Sequence, residues 1–177
     1  MASFPLGADV GQRLDWVLLQ NGFVTLFWNN SIFGDTQDEL DSEGYQVIGL
    51  DATGWTTDER MYDDISAAFD LPGYFGRNLN AVVDCLRDVA RFDYGADPTA
   101  TGTVVAIERI DALGQRSTDL ARQLLDVLAD AGRYAMLFGH RFIVLAQTDD
   151  PAISLGPLGA TTASWNRAEW LNSSRGV

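Results

Sequence analysis

Apolar positions along the chain fall into two spacings. Short contiguous runs read as strands: 45–51 with Val47, Ile48 and Leu50, 103–107 as Thr-Val-Val-Ala-Ile, and 142–146. The second run has no polar alternation, so it reads as a strand covered on both faces. Between the runs, apolar residues recur at helical intervals. Met61, Ile65 and Phe69 stand at i, i+4 and i+8. Leu79, Val82, Val83, Leu86 and Val89 mark a helix over 79–92, and Leu120, Leu124, Leu125, Val127 and Leu128 mark one over 118–137. Thr56 and Glu59 have capping-box spacing ahead of the first helix, Pro72-Gly73 end it, and Asn78 caps the second. Residues 93–102 read as a loop and 111–117 as a polar connection.

The two ends read differently. Residues 1–13 are mixed in character and read as poorly ordered. The runs 16–20 and 23–28 flank Asn21-Gly22, a pair suited to a type I′ turn, which predicts a β-hairpin. Residues 29–34 read as loop, with Asp35 capping a short helix over 36–43 that stops at Gly44. Residues 149–177 read as a locally packed tail with one helical turn near 165–171. Strands alternating with helices imply an α/β fold with a parallel sheet and right-handed crossovers. The predicted organisation is an N-terminal hairpin and short-helix extension over 1–44 at the domain edge, a central domain over 45–148, and a tail over 149–177.

Composition narrows the function. A chain of 177 residues is about one domain. It has 25 acids and 12 bases, a formal net charge of −13. All 12 bases are Arg, which removes Schiff-base and P-loop lysine chemistry. Such charge repels phosphate backbones, which argues against direct nucleic-acid binding and for a basic partner. The structural alternative is acidity serving solubility. A single cysteine, Cys85, excludes an intramolecular disulfide and points to a reducing compartment. No apolar run reaches the length of a membrane span. The first residues lack a secretory signal pattern, so the expected location is cytoplasmic.

Candidate chemistry is sparse. Cys85 lies mid-helix beside Asp84, a neighbour that disfavours the thiolate, so it reads as a buried structural cysteine. His140, the only histidine, reads as structural or exposed. One Cys and one His cannot build a zinc site, and Asp63-Asp64 and Asp149-Asp150 read as solvated acids. The aromatics of 16–28 read as core, with an exposed partner-binding edge as the alternative. The expectation is a protein without catalytic residues, metal or cofactor. The informative segment is 71–86: Leu-Pro-Gly-Tyr-Phe-Gly-Arg-Asn-Leu-Asn-Ala-Val-Val-Asp-Cys-Leu. It is a rigid turn, two aromatics, a glycine and an Asn-capped helix. Asn80 and Asp84, at i and i+4, share one face of that helix. Its structural alternative is a well-capped loop with a solvated aspartate.

This segment resembles the signature of the barstar family of ribonuclease inhibitors. Leu71, Pro72, Tyr74, Phe75, Gly76, Asn78, Leu79, Ala81, Asp84, Cys85 and Leu86 match the family pattern, and the order of elements extends the resemblance over 45–147. The resemblance implies a three-stranded parallel sheet packed by helices. It implies that Asp84 takes the place of a substrate phosphate in a ribonuclease cleft, with Tyr74, Phe75, Gly76, Arg77, Asn78, Leu79, Asn80 and Val83 around it. A further acid on the later helix, Asp130 or Asp126, completes the contact. The implied partner is a small basic ribonuclease or nuclease toxin domain, bound 1:1. The N-terminal extension would widen the interface, cover the sheet edge or mediate self-association. Asn80, Val83 and Arg77 depart from the best-known member, which has aspartate and tryptophan at the first two positions. They point to a different cognate nuclease or to weaker binding to the usual one, and Arg77 and Val83 favour the alternative of an interaction domain with a non-nuclease partner.

Overall fold

The computed structural model describes residues 13–159 and 161–177. The expectation of weak order before Arg13 lies outside the described residues. In chain order the elements begin with α1 (Leu14–Leu19), β1 (Val24–Phe27), α2 (Asn30–Ser42), β2 (Gln46–Asp51), α3 (Asp58–Ala68) and α4 (Leu79–Ala90). They continue with β3 (Thr103–Glu108), α5 (Ile110–Arg116), α6 (Thr118–Met136), β4 (Phe142–Gln147), β5 (Pro157–Leu158), β6 (Thr161–Thr162) and β7 (Ser164–Trp165).

Five strands form one parallel sheet in the order β2-β3-β4-β1-β7. The expected trio β2, β3 and β4 stands together, and β1 and β7 extend it beyond β4. Side chains alternate across a sheet, so each register row serves one core. Ile48, Val105, Val144 and Val24 are successive partners and face the larger core, built with α3, α4, α5 and α6. Val104 and Ile143 are partners on the other face, packed with Leu18, Phe33 and Leu40 of α1 and α2. Every residue of β4 is buried, and all but Glu108 of β3.

The N-terminal hairpin is not formed. Leu14, Val17 and Leu18 have i, i+3, i+4 spacing, and the first of the two runs is helical, with Leu18 buried. Gly22 does adopt positive φ (137°), but it turns the chain from a helix into a strand. β1 runs parallel to β4 with all four residues buried, as an inner strand. The 29–34 segment is also helical. Asn29 Oδ1 accepts the N–H groups of Ser31 (2.8 Å) and Ile32 (3.3 Å), so Asn29 is the cap and Asp35 an exposed interior residue. Phe33 and Leu40, seven residues apart, anchor this helix in the second core. Thr57, and not Thr56, caps α3. The polar connection at 111–117 is largely α5, which buries Ile110 and Leu113.

The tail is tied to the sheet. Ser164 and Trp165 pair with Thr25 and Leu26. The helical turn expected near 165–171 is a 3-10 turn over Arg167–Glu169. Its Glu169 is buried and accepts the N–H groups of Trp28 (3.0 Å) and Asn29 (2.8 Å). Among the described residues no helix is long and apolar enough to cross a membrane.

Candidate functional site

The loop between α3 and α4 is built from its anchors outward. Leu71 is buried, and its N–H donates to the Ser66 carbonyl at 2.9 Å. A turn follows, closed by the Phe75 N–H on the Pro72 carbonyl at 2.8 Å. Phe75 packs inward against Tyr62, edge to face with centroids 6.2 Å apart. Tyr74 points the other way and is 79% exposed. Asn78 ties loop to helix: its Nδ2 donates to the Gly76 carbonyl and its Oδ1 accepts the Ala81 N–H, both at 2.9 Å. A Cβ on residue 76 would stand 3.2 Å from Asn78 Nδ2 and 3.4 Å from Ala81 Cβ, so a side chain there would press on the cap. Arg77 sits at φ 47° with its guanidinium 2.7 Å from Asp63 of α3. Its charge is therefore folded back onto a carboxylate.

Helix α4 buries Val82, Cys85, Leu86, Val89 and Ala90, with Leu79 packed partly against them. The opposite face exposes Asn80, Asp84 and Arg87, while Val83 is half-buried at its margin. The Asp84 side chain is 79% exposed, and the nearest paired base is Arg87, 3.9 Å away and one turn on. Arg87 in turn lies over the Tyr134 ring of α6, 5.9 Å from its centroid, and Tyr134 meets Phe138 edge to face.

Helices α4 and α6 pack side by side and run the same way, because both precede parallel strands. Their C-terminal ends meet where His140, just after α6, bonds the Ala90 carbonyl at 3.2 Å. Asp130 lies one turn before Tyr134, as Asp84 lies one turn before Arg87. The two acids are thus on the same side of the Arg87–Tyr134 contact, on neighbouring helices. Asp130 is half-exposed and pairs with Arg133 at 3.3 Å. Asp126 Oδ1 is buried with no hydrogen-bond partner among the described residues, so Asp130 is the better-presented of the two candidate acids.

The Cys85 and His140 side chains are both withdrawn from this face. Cys85 is a free thiol buried under α4. His140 is buried, bonded to Thr103 Oγ1 at 2.9 Å and stacked on Phe92 at 4.2 Å. Burial pushes its imidazole pKa down, and the Ala90 carbonyl offsets only part of that. Among the described residues no group of His, Cys, Asp and Glu converges to hold a metal ion. The face can instead present a carboxylate to a cation.

Asp63 is a solvated acid, as read, but its ion pair with Arg77 was not legible, because tertiary packing alone brings the two together. Sequence reasoning missed Tyr134 and Phe138, whose i, i+4 spacing at the end of α6 was a usable signal. A family model described as Barstar (barnase inhibitor) matches residues 45–147, more than half of the 177-residue chain. No curated protein matches the chain.

Proposed function

The chain belongs to the barstar family, whose members are ribonuclease inhibitors, and on that premise we propose that it blocks the active site of a small basic ribonuclease by offering Asp84 as a phosphate mimic. The observation that carries this reading is the Asp84 side chain, 79% exposed at the middle of a helix fixed by the Asn78 cap, with only a 3.9 Å contact to Arg87. A ribonuclease cleft is cationic because it binds RNA phosphates. A carboxylate held rigidly on α4 meets those cations without the ordering cost a flexible acid would incur. It carries no scissile bond, so the complex persists. Tyr74, Gly76, Asn78 and Asn80 rim the contact, and Asp130 adds a second acid from α6. The net charge of −13 attracts a basic enzyme at long range and raises the association rate.

The reading extends to a 1:1 complex with a housekeeping ribonuclease or a nuclease toxin domain, formed in a reducing, cytoplasmic compartment. The second reading is a non-nuclease partner for the same face. It is favoured by Arg77 and the half-buried Val83, which change the chemistry around Asp84. RNA cleavage by a panel of small basic ribonucleases, measured with the wild type and with Asp84→Ala, tests both. Inhibition that the substitution removes supports the nuclease reading. Absence of inhibition by the wild type throughout the panel moves the weight to the second.

A further inference from the structure

We propose that the sheet edge at β7 is a second binding site, which takes an extended segment of a basic partner protein as an added strand. Strand β7 stands at the end of the sheet and, among the described residues, pairs with β1 alone. The Asn166 N–H donates to the Leu26 carbonyl at 3.0 Å. Consecutive residues of a parallel strand turn their backbone groups to opposite sides, so Ser164 and Asn166 address β1 while the N–H and C=O of Trp165 face outward. Such an edge accepts a further strand through main-chain hydrogen bonds.

A cavity opens on each face of the sheet beside this edge. One, of about 520 Å³, lies on the α1–α2 face over Leu14, Leu18, Phe27 and Ile32. The other, of about 160 Å³, lies on the opposite face against Leu26, Leu155 and Ala163. Trp165 lines both. Successive side chains of a strand point to opposite faces. A segment laid along β7 therefore places one side chain in each cavity, a large apolar or aromatic one in the first and a small aliphatic one in the second.

Charge selects the partner. Glu39 of α2 lines the larger cavity, Asp35 lies one turn before it, and both are exposed. The base there, Arg167, donates to Gln20 at 3.2 Å. An Arg or Lys two residues from the apolar side chain falls on the same face, on the side of the cavity that Glu39 lines. No residue lining the two cavities belongs to α4 or to the loop before it, so a segment bound there leaves Asp84 open.

Calorimetric titration of the full chain with the capped peptide Arg-Ser-Phe-Val-Arg tests this. Two further forms carry methyl groups on alternate backbone nitrogens, one for each phase. Strand addition requires one methylated form to lose binding by about tenfold and the other to keep it. Glu39→Arg weakens binding by about threefold to tenfold, and Asp84→Ala leaves it unchanged. Equal binding of both methylated forms, or no binding at about 1 mM peptide, overturns the proposal. A dimer in sedimentation that Glu39→Arg dissociates makes a second copy the occupant and also overturns it. So do nuclear Overhauser contacts from Phe4 or Leu6 to Thr25 in the free protein, which make the start of this chain the occupant.

Discussion

Asp15 of helix α1 and Asp84 of helix α4 are used in opposite ways. Asp15 on α1 is fully buried. It accepts from Arg13 (2.7 Å), the Tyr45 hydroxyl (2.6 Å), Arg141 (3.2 Å) and the Trp16 N–H (2.7 Å). Asp84 on α4 is 79% exposed, with one distant base. The first carboxylate is consumed by bonds that pin α1 beneath the sheet. The second has most of its bonding capacity left for a partner. In a chain of 25 acids, burial and hydrogen-bond saturation separate structural acids from those available for recognition.

Exchanging either aspartate for alanine should therefore give opposite phenotypes. Asp84→Ala should weaken inhibition of a cognate ribonuclease by about 100-fold or more, the scale for removing one half of a desolvated charge pair. Its melting temperature should stay at the wild-type value. Asp15→Ala removes the buried carboxylate that the Arg141 guanidinium and the Tyr45 hydroxyl both bond. It should lower stability by about 3 kcal/mol in urea unfolding and inhibit normally below its transition. If both variants lost stability together, or both lost inhibition together, the division between the two acids would fail.

Acid separates the regions in a second way. Burial alone would raise the Asp15 carboxyl, but the bonds from Arg13, Tyr45 and the Trp16 N–H outweigh it and hold the pKa below the ordinary 3.8. His140 also has a depressed pKa, because burial disfavours the imidazolium. In both cases the unfolded chain takes up the proton first as pH falls, so stability is present above the ordinary pKa and lost below it. For His140 the loss begins as pH drops below 6.5, and for Asp15 below 3.8. Urea unfolding between pH 8 and 5 should show the first step, and His140→Gln should flatten it. No exposed residue of the Asp84 face is needed for either step.

The caps give a smaller contrast. Asn78 caps α4 and Asn29 caps α2, each through its side-chain oxygen. Alanine at either position should cost about 1 kcal/mol of stability. Only Asn78→Ala also frees the Gly76 carbonyl, so only it should weaken inhibition, by a few-fold in a titration against the same ribonuclease.

The same two regions show what sequence could and could not reveal. In α4 the signals agree: Asn78 as cap, Pro72-Gly73 as stop, apolar residues at helical spacing. Its boundaries and its outward face were legible for that reason. In α1 and β1 a local signal competed with a tertiary one. Asn21-Gly22 between apolar runs favours a hairpin, but β1 gains more as an inner parallel strand with both faces covered. Leu14, Val17 and Leu18 have a helical pattern too short to stand out from the β-prone residues around it. Ser164 and Trp165 carried no strand signal, because two residues have no measurable period and their pairing depends on β1. The Asp63–Arg77 contact was hidden for the same reason, since it exists only once the loop folds back on α3.

That contact supplies the finest test. Arg77 would repel a cationic partner if it faced outward, yet its guanidinium rests 2.7 Å from Asp63, with both side chains well exposed to solvent. An exposed pair of this kind adds less than about 1 kcal/mol to stability, so neither single substitution should shift the melting curve appreciably. Its effect should appear in association kinetics. Asp63→Ala releases the positive charge on the loop before α4 and should slow association with a basic ribonuclease by about twofold to fivefold at low salt, converging on the wild type as salt screens the charge. Arg77→Ala should match or exceed the wild-type rate, and adding it to Asp63→Ala should cancel most of the loss. Stopped-flow traces of the four proteins form a double-mutant cycle. A strictly additive cycle would mean that Asp63 does not shield Arg77 from the partner, and Arg77 would then be an ordinary member of the rim around Asp84.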